Sequence, residues 1–208
     1  MQLNSTETQR MIDRYLGGQE QELARLIDHH RPFLRLVVAL RVPDRLRSRI
    51  DPSDVVQEAQ LEAVRRKKEY FDQQSIPFRL WLRRIAYDRL LTAWRYHGKA
   101  ERRSVEREVS LAEGSSLALA NSLISREPSP LTQFAQEEVA ERVRRAVERL
   151  SDSDREIILL HNFEGLTSKE TALVIGIEPA AARKRYGRAL LRLRQLLIDQ
   201  GLSESADD

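Results

Sequence analysis

Residues 164–197 read EGLTSKETALVIGIEPAAARKRYGRALLRLRQLL, and this stretch decides the fold. Thr167-Ser-Lys-Glu170 is a capping-box pattern that predicts a helix starting at Ser168. That helix is short, because Gly176 can take the left-handed conformation a tight turn needs. Pro179 suits the first turn of a second helix, where a missing N–H costs nothing. Along it Ala182, Tyr186, Ala189, Leu190, Leu193, Leu196 and Leu197 recur at spacings of three and four, which defines a buried face. Arg183, Lys184, Arg188, Arg192 and Arg194 fall on the opposite face, and no acidic residue occurs between Ala180 and Ile198. Two helices, a glycine turn and the small Ala172 at their crossing predict a helix-turn-helix. Its second helix has the basic N-terminal half that enters a major groove. A solvated helix face would mix acidic partners among the cations at i,i+4, and this one does not.

Outward from that stretch, the charge pattern repeats the theme. The chain has 208 residues, with 35 Lys+Arg against 32 Asp+Glu, so the net charge of +3 is modest. Its distribution is uneven. Between Arg79 and Arg107 nine basic residues face three acidic ones, Asp88, Glu101 and Glu106. Two separate basic stretches suggest two contacts with a polyanion. There is no cysteine, hence no disulfide framework and no thiolate metal site. No long uncharged apolar run and no apolar signal core occur, so the expectation is a soluble, cytoplasmic protein that needs no membrane.

Taken in order, the chain predicts helices almost throughout. Thr6 to Leu16 is amphipathic and ends at Gly17-Gly18. Gln19 to Leu40 places Leu23, Leu26, Ile27, Phe33, Leu34 and Val37 at helical spacing, with Pro32 as a kink or boundary. His29 and His30 have no third ligand nearby and read as surface residues rather than metal ligands. After a connector with Pro43 comes DPSDVVQEAQLEAVRRKKEYF, from Asp51. Asp51 is a good N-cap, with Pro52 and Asp54 in the first turn. Val55, Val56, Ala59, Leu61 and Val64 are its expected buried positions; Asp54, Gln57, Glu58 and Glu62 project outward. Spacing alone explains these acids by the helix dipole. Phe71 to Pro77 reads as a polar loop, and Phe78 to Arg95 (FRLWLRRIAYDRLLTAWR) as a strong helix with Leu82, Ile85, Ala86 and Leu90 inward. There Arg79, Arg83, Arg84, Arg89 and Arg95 alternate with Trp81, Tyr87, Trp94 and Tyr96, a pattern suited to unpaired DNA. Spacing serves equally well for Trp81 and Trp94 as core residues. Glu101 to Thr132, with Gly114 and Pro128-Ser-Pro130, reads as a linker. Phe134 to Leu150 and Arg155 to Phe163 are two further helices, capped between by Ser151 to Asp154, that support the helix-turn-helix; the tail from Asp199 is polar.

Three of these segments, in this order, resemble the extracytoplasmic-function class of bacterial sigma factors, the small initiation subunits of RNA polymerase. DPSDVVQEAQLEAVRR is similar to the family's core-binding helix. FRLWLRRIAYDRLLTAWR is similar to its helix for reading and melting the −10 element. LSDSDREIILLHNFEGLTSKETALVIGIEPAAARKRYGRALLRLRQLL is similar to its −35-reading domain. The resemblance covers about half the chain. It implies that Asp51, Asp54, Gln57 and Glu58 dock on the coiled coil of the polymerase β′ subunit. It implies that the Phe71–Pro77 loop, with Gln73 and Gln74, captures a flipped −10 base, and that Trp81, Arg84, Asp88 and Arg95 serve −10 recognition and melting. Asp88 stands where the family often has Asn, and Gly187 where it often has a large apolar residue. Arg183, Lys184 and Arg188 match the −35 contacts, with Arg192 further along. The family's lack of a long regulatory N-terminal region is expected here too.

The expected architecture is therefore all-α: a core-binding and −10 domain over residues 1–100, a linker over 101–133 and a helix-turn-helix domain over 134–208. The expected function is a sigma factor, with the β′ and β subunits of core polymerase and promoter DNA as partners, and an anti-sigma factor as a further candidate. No Gly-rich phosphate loop, Ser/His/Asp set or metal-ligand cluster occurs, so no catalytic residue, metal or cofactor is expected. The rival is a helix-turn-helix repressor or activator whose first domain senses a ligand or dimerises.

Overall fold

A computed structural model of the chain describes residues 5–42, 46, 48–97, 142–143 and 145–200. Every regular element among them is helical. The expected linker 101–133, most of the expected Phe134–Leu150 helix including Val139, Pro43, and the tail beyond 200 lie outside the described residues. The chain divides into two compact units, Met1–Arg107 and Glu108–Asp208.

The first unit contains α1 (Ser5–Leu16), α2 (Gln21–His29), α3 (Arg31–Ala39), α4 (Pro52–Arg65), α5 (Lys67–Gln73) and α6 (Phe78–His97). The expected Gln19–Leu40 helix is two helices that break at His30, with Pro32 in the first turn of the second. Pro32 has no N–H for the helix to leave unsatisfied there. α6 packs on α3 and α4, and α1 on α2. Leu26, Leu34, Val37, Val38, Val56, Leu82, Ile85, Ala86 and Leu90 form the dry centre. Each large aliphatic side chain among them contributes about 1.5–3 kcal/mol by burial.

Three expectations fail in this unit. On α4 the buried stripe is Val55, Val56, Ala59 and Ala63, whereas Leu61 is 56 % and Val64 45 % exposed. At about 100° per residue both side chains point away from a stripe centred on Val56 and Ala59. The supposed loop Phe71–Pro77 begins as helix: α5 runs through Gln73, leaving only 74–77 as connector. The reason is tertiary. Tyr70 meets Phe78 at 5.0 Å and Trp81 at 5.1 Å, and Phe71 meets Tyr15 at 4.6 Å between ring centroids. These contacts hold a turn that local propensity would not. Third, His30 is not a surface residue. It is 1 % exposed, its Nε2 lies 3.2 Å from the Thr8 hydroxyl, and its ring packs 5.6 Å from Phe78.

The second unit contains a helical turn over 145–148, then α7 (Asp152–Asn162), α8 (Ser168–Ile175) and α9 (Pro179–Ile198). The expected caps form. Ser151 accepts from the Asp154 N–H, and Thr167 and Glu170 complete the capping box. Gly176 ends α8 at φ 69°, ψ 39°, and the Ile177 N–H returns to the Ala172 carbonyl at 3.1 Å. A side chain at Gly176 would be strained in that conformation. Val143, Ala146, Val147, Leu150, Ile157, Ile158, Ala189 and Leu193 form the core, with Ile175, Tyr186 and Leu190 packed against it.

Candidate nucleic-acid interface

α9 is two-sided. Ala182, Ala189 and Leu193 are buried, and Tyr186 is half-buried. The Tyr186 hydroxyl donates to Asn162 at 2.8 Å, and its ring stacks on His161 at 4.2 Å. Burial raises the Tyr186 pKa and lowers that of His161, so both are neutral near pH 7. These contacts pin the middle of α9 to the end of α7. On the other side Arg183, Lys184, Arg188 and Leu191 are exposed, around Gly187.

Among the described residues nothing packs against Gly187. A Cβ built on it meets nothing within 4 Å. Glycine inside a helix costs about 0.5–1 kcal/mol relative to alanine. Gly187→Ala is therefore expected to stabilise the protein by that amount, read as a rise of a few degrees in Tm. A fall in Tm means that alanine meets an obstruction there.

Arg192 has a partner that its place in the sequence did not suggest. Its Nη1 donates to Oδ2 of Asp154 at 2.5 Å, and that carboxylate is only 3 % exposed. A buried carboxylate needs such a partner. Arg192 thus pairs with Asp154 while its own side chain stays 59 % exposed. Arg185 is a cation of α9 that the sequence pattern did not single out. It is half-buried and lines an open cavity of about 330 Å³ with Arg188 and Arg192. The signal was present, since 185, 188 and 192 are spaced i, i+3, i+7 on one helix face.

In the first unit Asp51, Asp54, Gln57 and Glu58 are exposed. Asp51 caps α4 by accepting from the Ser53 N–H at 2.7 Å. Leu61 and Val64 extend this exposed surface along α4 with apolar side chains. Phe71 is half-buried in the aromatic cluster, whereas Gln73 and Gln74 are exposed. Gln74 sits in the left-handed region at φ 40°, ψ 34°, its N–H on the Tyr70 carbonyl at 2.7 Å. That conformation is uncommon for a residue with a Cβ and fixes the start of the connector.

On α6 Arg84, Asp88 and Arg95 are exposed, and Trp81 is not. Trp81 is 3 % exposed within the aromatic cluster and Trp94 4 % exposed, so neither ring is available to stack on a base. Arg83 is likewise buried, with its guanidinium 5.9 Å from the Tyr87 ring centroid, as is that of Arg41. Arg84 reaches Glu69 at 3.3 Å. Arg66 binds the same carboxylate through two bonds of 2.8 Å and, chiefly by these, holds it below the usual carboxylate range. No group of metal-binding side chains occurs among the described residues, and none of their helices is long and apolar enough to cross a membrane.

Comparison with known proteins fits this geometry. The family described as Sigma-70, region 4 matches residues 140–193, which include α8 and most of α9. The RNA polymerase sigma factor CnrH of Cupriavidus metallidurans is 31 % identical over 148 residues, 71 % of this chain and 73 % of that protein. The ECF RNA polymerase sigma factor SigD of Mycobacterium tuberculosis is 26 % identical over 186 residues, 89 % of this chain and 82 % of that one. The solved structure of CnrH in complex with the cytosolic domain of CnrY shares the fold, with a TM-score of 0.53 and 22 % identity over 91 % of this chain and 96 % of that one. These likenesses define the class, the RNA polymerase sigma factors, which are DNA-binding regulators. The chain belongs to the extracytoplasmic-function family within that class, and its function is to direct transcription initiation at promoters.

Proposed function

We propose that the protein acts without catalysis of its own, in the cytoplasm, by placing core RNA polymerase on a promoter through two separate surfaces. The residues 1–100 domain docks on the β′ subunit through Asp51, Asp54, Gln57 and Glu58 and handles the −10 element. Gln73, Gln74, Arg84, Asp88 and Arg95 are the exposed groups for that task, with Phe71 behind them. The residues 134–208 domain reads the −35 element through Arg183, Lys184 and Arg188 and contacts the β subunit. CnrH, which shares the fold, forms a complex with the cytosolic domain of CnrY. That complex supports a protein partner for this chain as well, in the role of an anti-sigma factor.

The observation that carries this reading is the exposed, acid-free face of α9 bearing Arg183, Lys184 and Arg188. Cations in the first turns of a second helix-turn-helix element are where base edges are read. An arginine that grips guanine through two hydrogen bonds contributes about 1–3 kcal/mol of discrimination. Arg183→Ala is expected to lower −35 affinity and flatten the preference among bases at one position. The test titrates the protein against single-base variants of a −35 duplex. An unchanged preference in Arg183→Ala refutes the assignment of the reading face.

A further inference from the structure

The connector after α5 begins in a strained conformation. Gln74 takes φ 40°, ψ 34°, the one positive φ outside glycine among the described residues. Such a conformation persists only where the surrounding structure over-determines it. α5 itself has 7 residues, too few to hold a helix in water unaided. Contacts from elsewhere in the chain grip it. Tyr70 packs on Phe78 and Trp81 of α6. Tyr15, in the last turn of α1, meets the Phe71 ring at 4.6 Å between centroids, and the Lys67 ammonium stands 5.8 Å from the Tyr15 centroid. Lys67 and Phe71 lie one turn apart on α5, so one ring of α1 spans both. Phe71 stands three residues before Gln74, and the Gln74 N–H returns to the carbonyl of the adjacent Tyr70 at 2.7 Å. α1 is seated in turn by Ile12, which is buried, and by Thr8, whose hydroxyl lies 3.2 Å from Nε2 of His30.

We propose that Tyr15 is a positioning residue for the −10 element: its ring holds α5 so that Gln73 and Gln74 meet an unpaired base in one fixed arrangement. Tyr15 acts through Phe71 and does not itself touch DNA. A connector ordered beforehand loses little freedom when the base arrives, and the freedom not lost appears as affinity and discrimination. Without the ring, α5 frays from its C-terminal end and Gln74 relaxes towards the right-handed region. Gln73 and Gln74 then face the base in several arrangements, and bases are told apart less well. The proposal rests on the −10 reading above and gives α1, to which that reading assigns no residue, a part in it.

The test uses holoenzyme assembled from core RNA polymerase and the full chain. The DNA is a promoter fragment that the parent holoenzyme selects from a random pool, remade with a preformed −10 bubble and as its single-base variants. Tyr15→Ala is expected to flatten the preference among bases at one bubble position by about 2- to 10-fold, the range of one aromatic pair. Gln74→Ala or Gln73→Ala should flatten the same position. Retention of Tyr15→Ala on core polymerase should equal the parent's. Tyr15→Phe keeps the ring and should restore the preference. Where Tyr15→Ala folds poorly by circular dichroism, Tyr15→Leu, which keeps apolar volume without the ring, carries the same comparison. Parental preference in the Tyr15 variant, at a position that a glutamine variant flattens, overturns the proposal. Weakening that is equal for every base, or shared by core retention, makes Tyr15 a packing residue alone and overturns it as well. So does a Tyr15→Phe that leaves the preference flat. If Gln73→Ala and Gln74→Ala both keep the parental preference, the connector does not read the base. The −10 reading itself then falls, and the role of Tyr15 with it.

Discussion

Replacing Asp54 and Glu58 together by arginine is expected to cost the protein its hold on core RNA polymerase, with affinity falling at least about 100-fold. Both side chains are exposed on α4, and the residues that anchor this helix, Val55, Val56, Ala59 and Ala63, lie on its other side. If the helix docks on a basic surface, two carboxylates become two cations facing cations. Like-charge juxtaposition across an interface costs several kcal/mol. The folded state should notice little. Asp54 lies in the first turn, where reversing its charge against the helix dipole costs about 0.3–1 kcal/mol. The measurement is retention of the double variant on immobilised core polymerase, with far-UV circular dichroism as the control for folding. A variant that binds as well as the parent removes α4 from the polymerase interface; one that unfolds refutes the expectation that these side chains are dispensable to the fold.

His30 sets the second large effect, on stability against pH. Burial, then the neighbouring His29 and Arg79, lower its pKa from 6.5 to about 4. Its Nδ1 is buried with no hydrogen-bond partner among the described residues, so they offer no acceptor to a proton added there. Above pH 6.5 the histidine is neutral whether the chain is folded or not and contributes no pH dependence. Between pH 6.5 and 4 the unfolded chain takes up the proton and the folded chain does not, so acidification favours unfolding. By pH 4 this single group accounts for a loss on the order of 3 kcal/mol. His30→Gln, compared with the parent by urea denaturation at pH 7 and pH 4, should lose less stability over that interval by about this amount. Equal losses in the two proteins would falsify the assignment of the effect to His30.

What was legible in the sequence follows from the range of the forces involved. The α8–α9 turn was readable because its determinants are local: Thr167 and Glu170 satisfy each other across three residues, Gly176 supplies the backbone conformation, and Pro179 starts the next helix. The α5 helix was not, because Tyr15, Phe78 and Trp81 hold it from other parts of the chain. The burial of His30 and the capture of Arg192 by Asp154, 38 residues away, are tertiary in the same sense. Leu61 and Val64 read as core positions because apolar residues surround much of α4, and composition does not say which stripe meets α6. At the candidate sites, residue type identified the exposed cations of α9. It could not separate Arg84 from the buried Arg83 one position away.

The two-sidedness of α9 has an evolutionary consequence. Arg183, Lys184 and Arg188 take no part in the packing that Ala182, Ala189 and Leu193 provide. Substitutions on the outer face can therefore accumulate without loss of the fold, since exposed positions away from special features tolerate change within about 0.5 kcal/mol. A duplicated copy of such a gene can drift towards a new set of promoters through viable intermediates. Arg192 is the exception, because its exchange strands a buried carboxylate, and lineages should alter it only together with position 154.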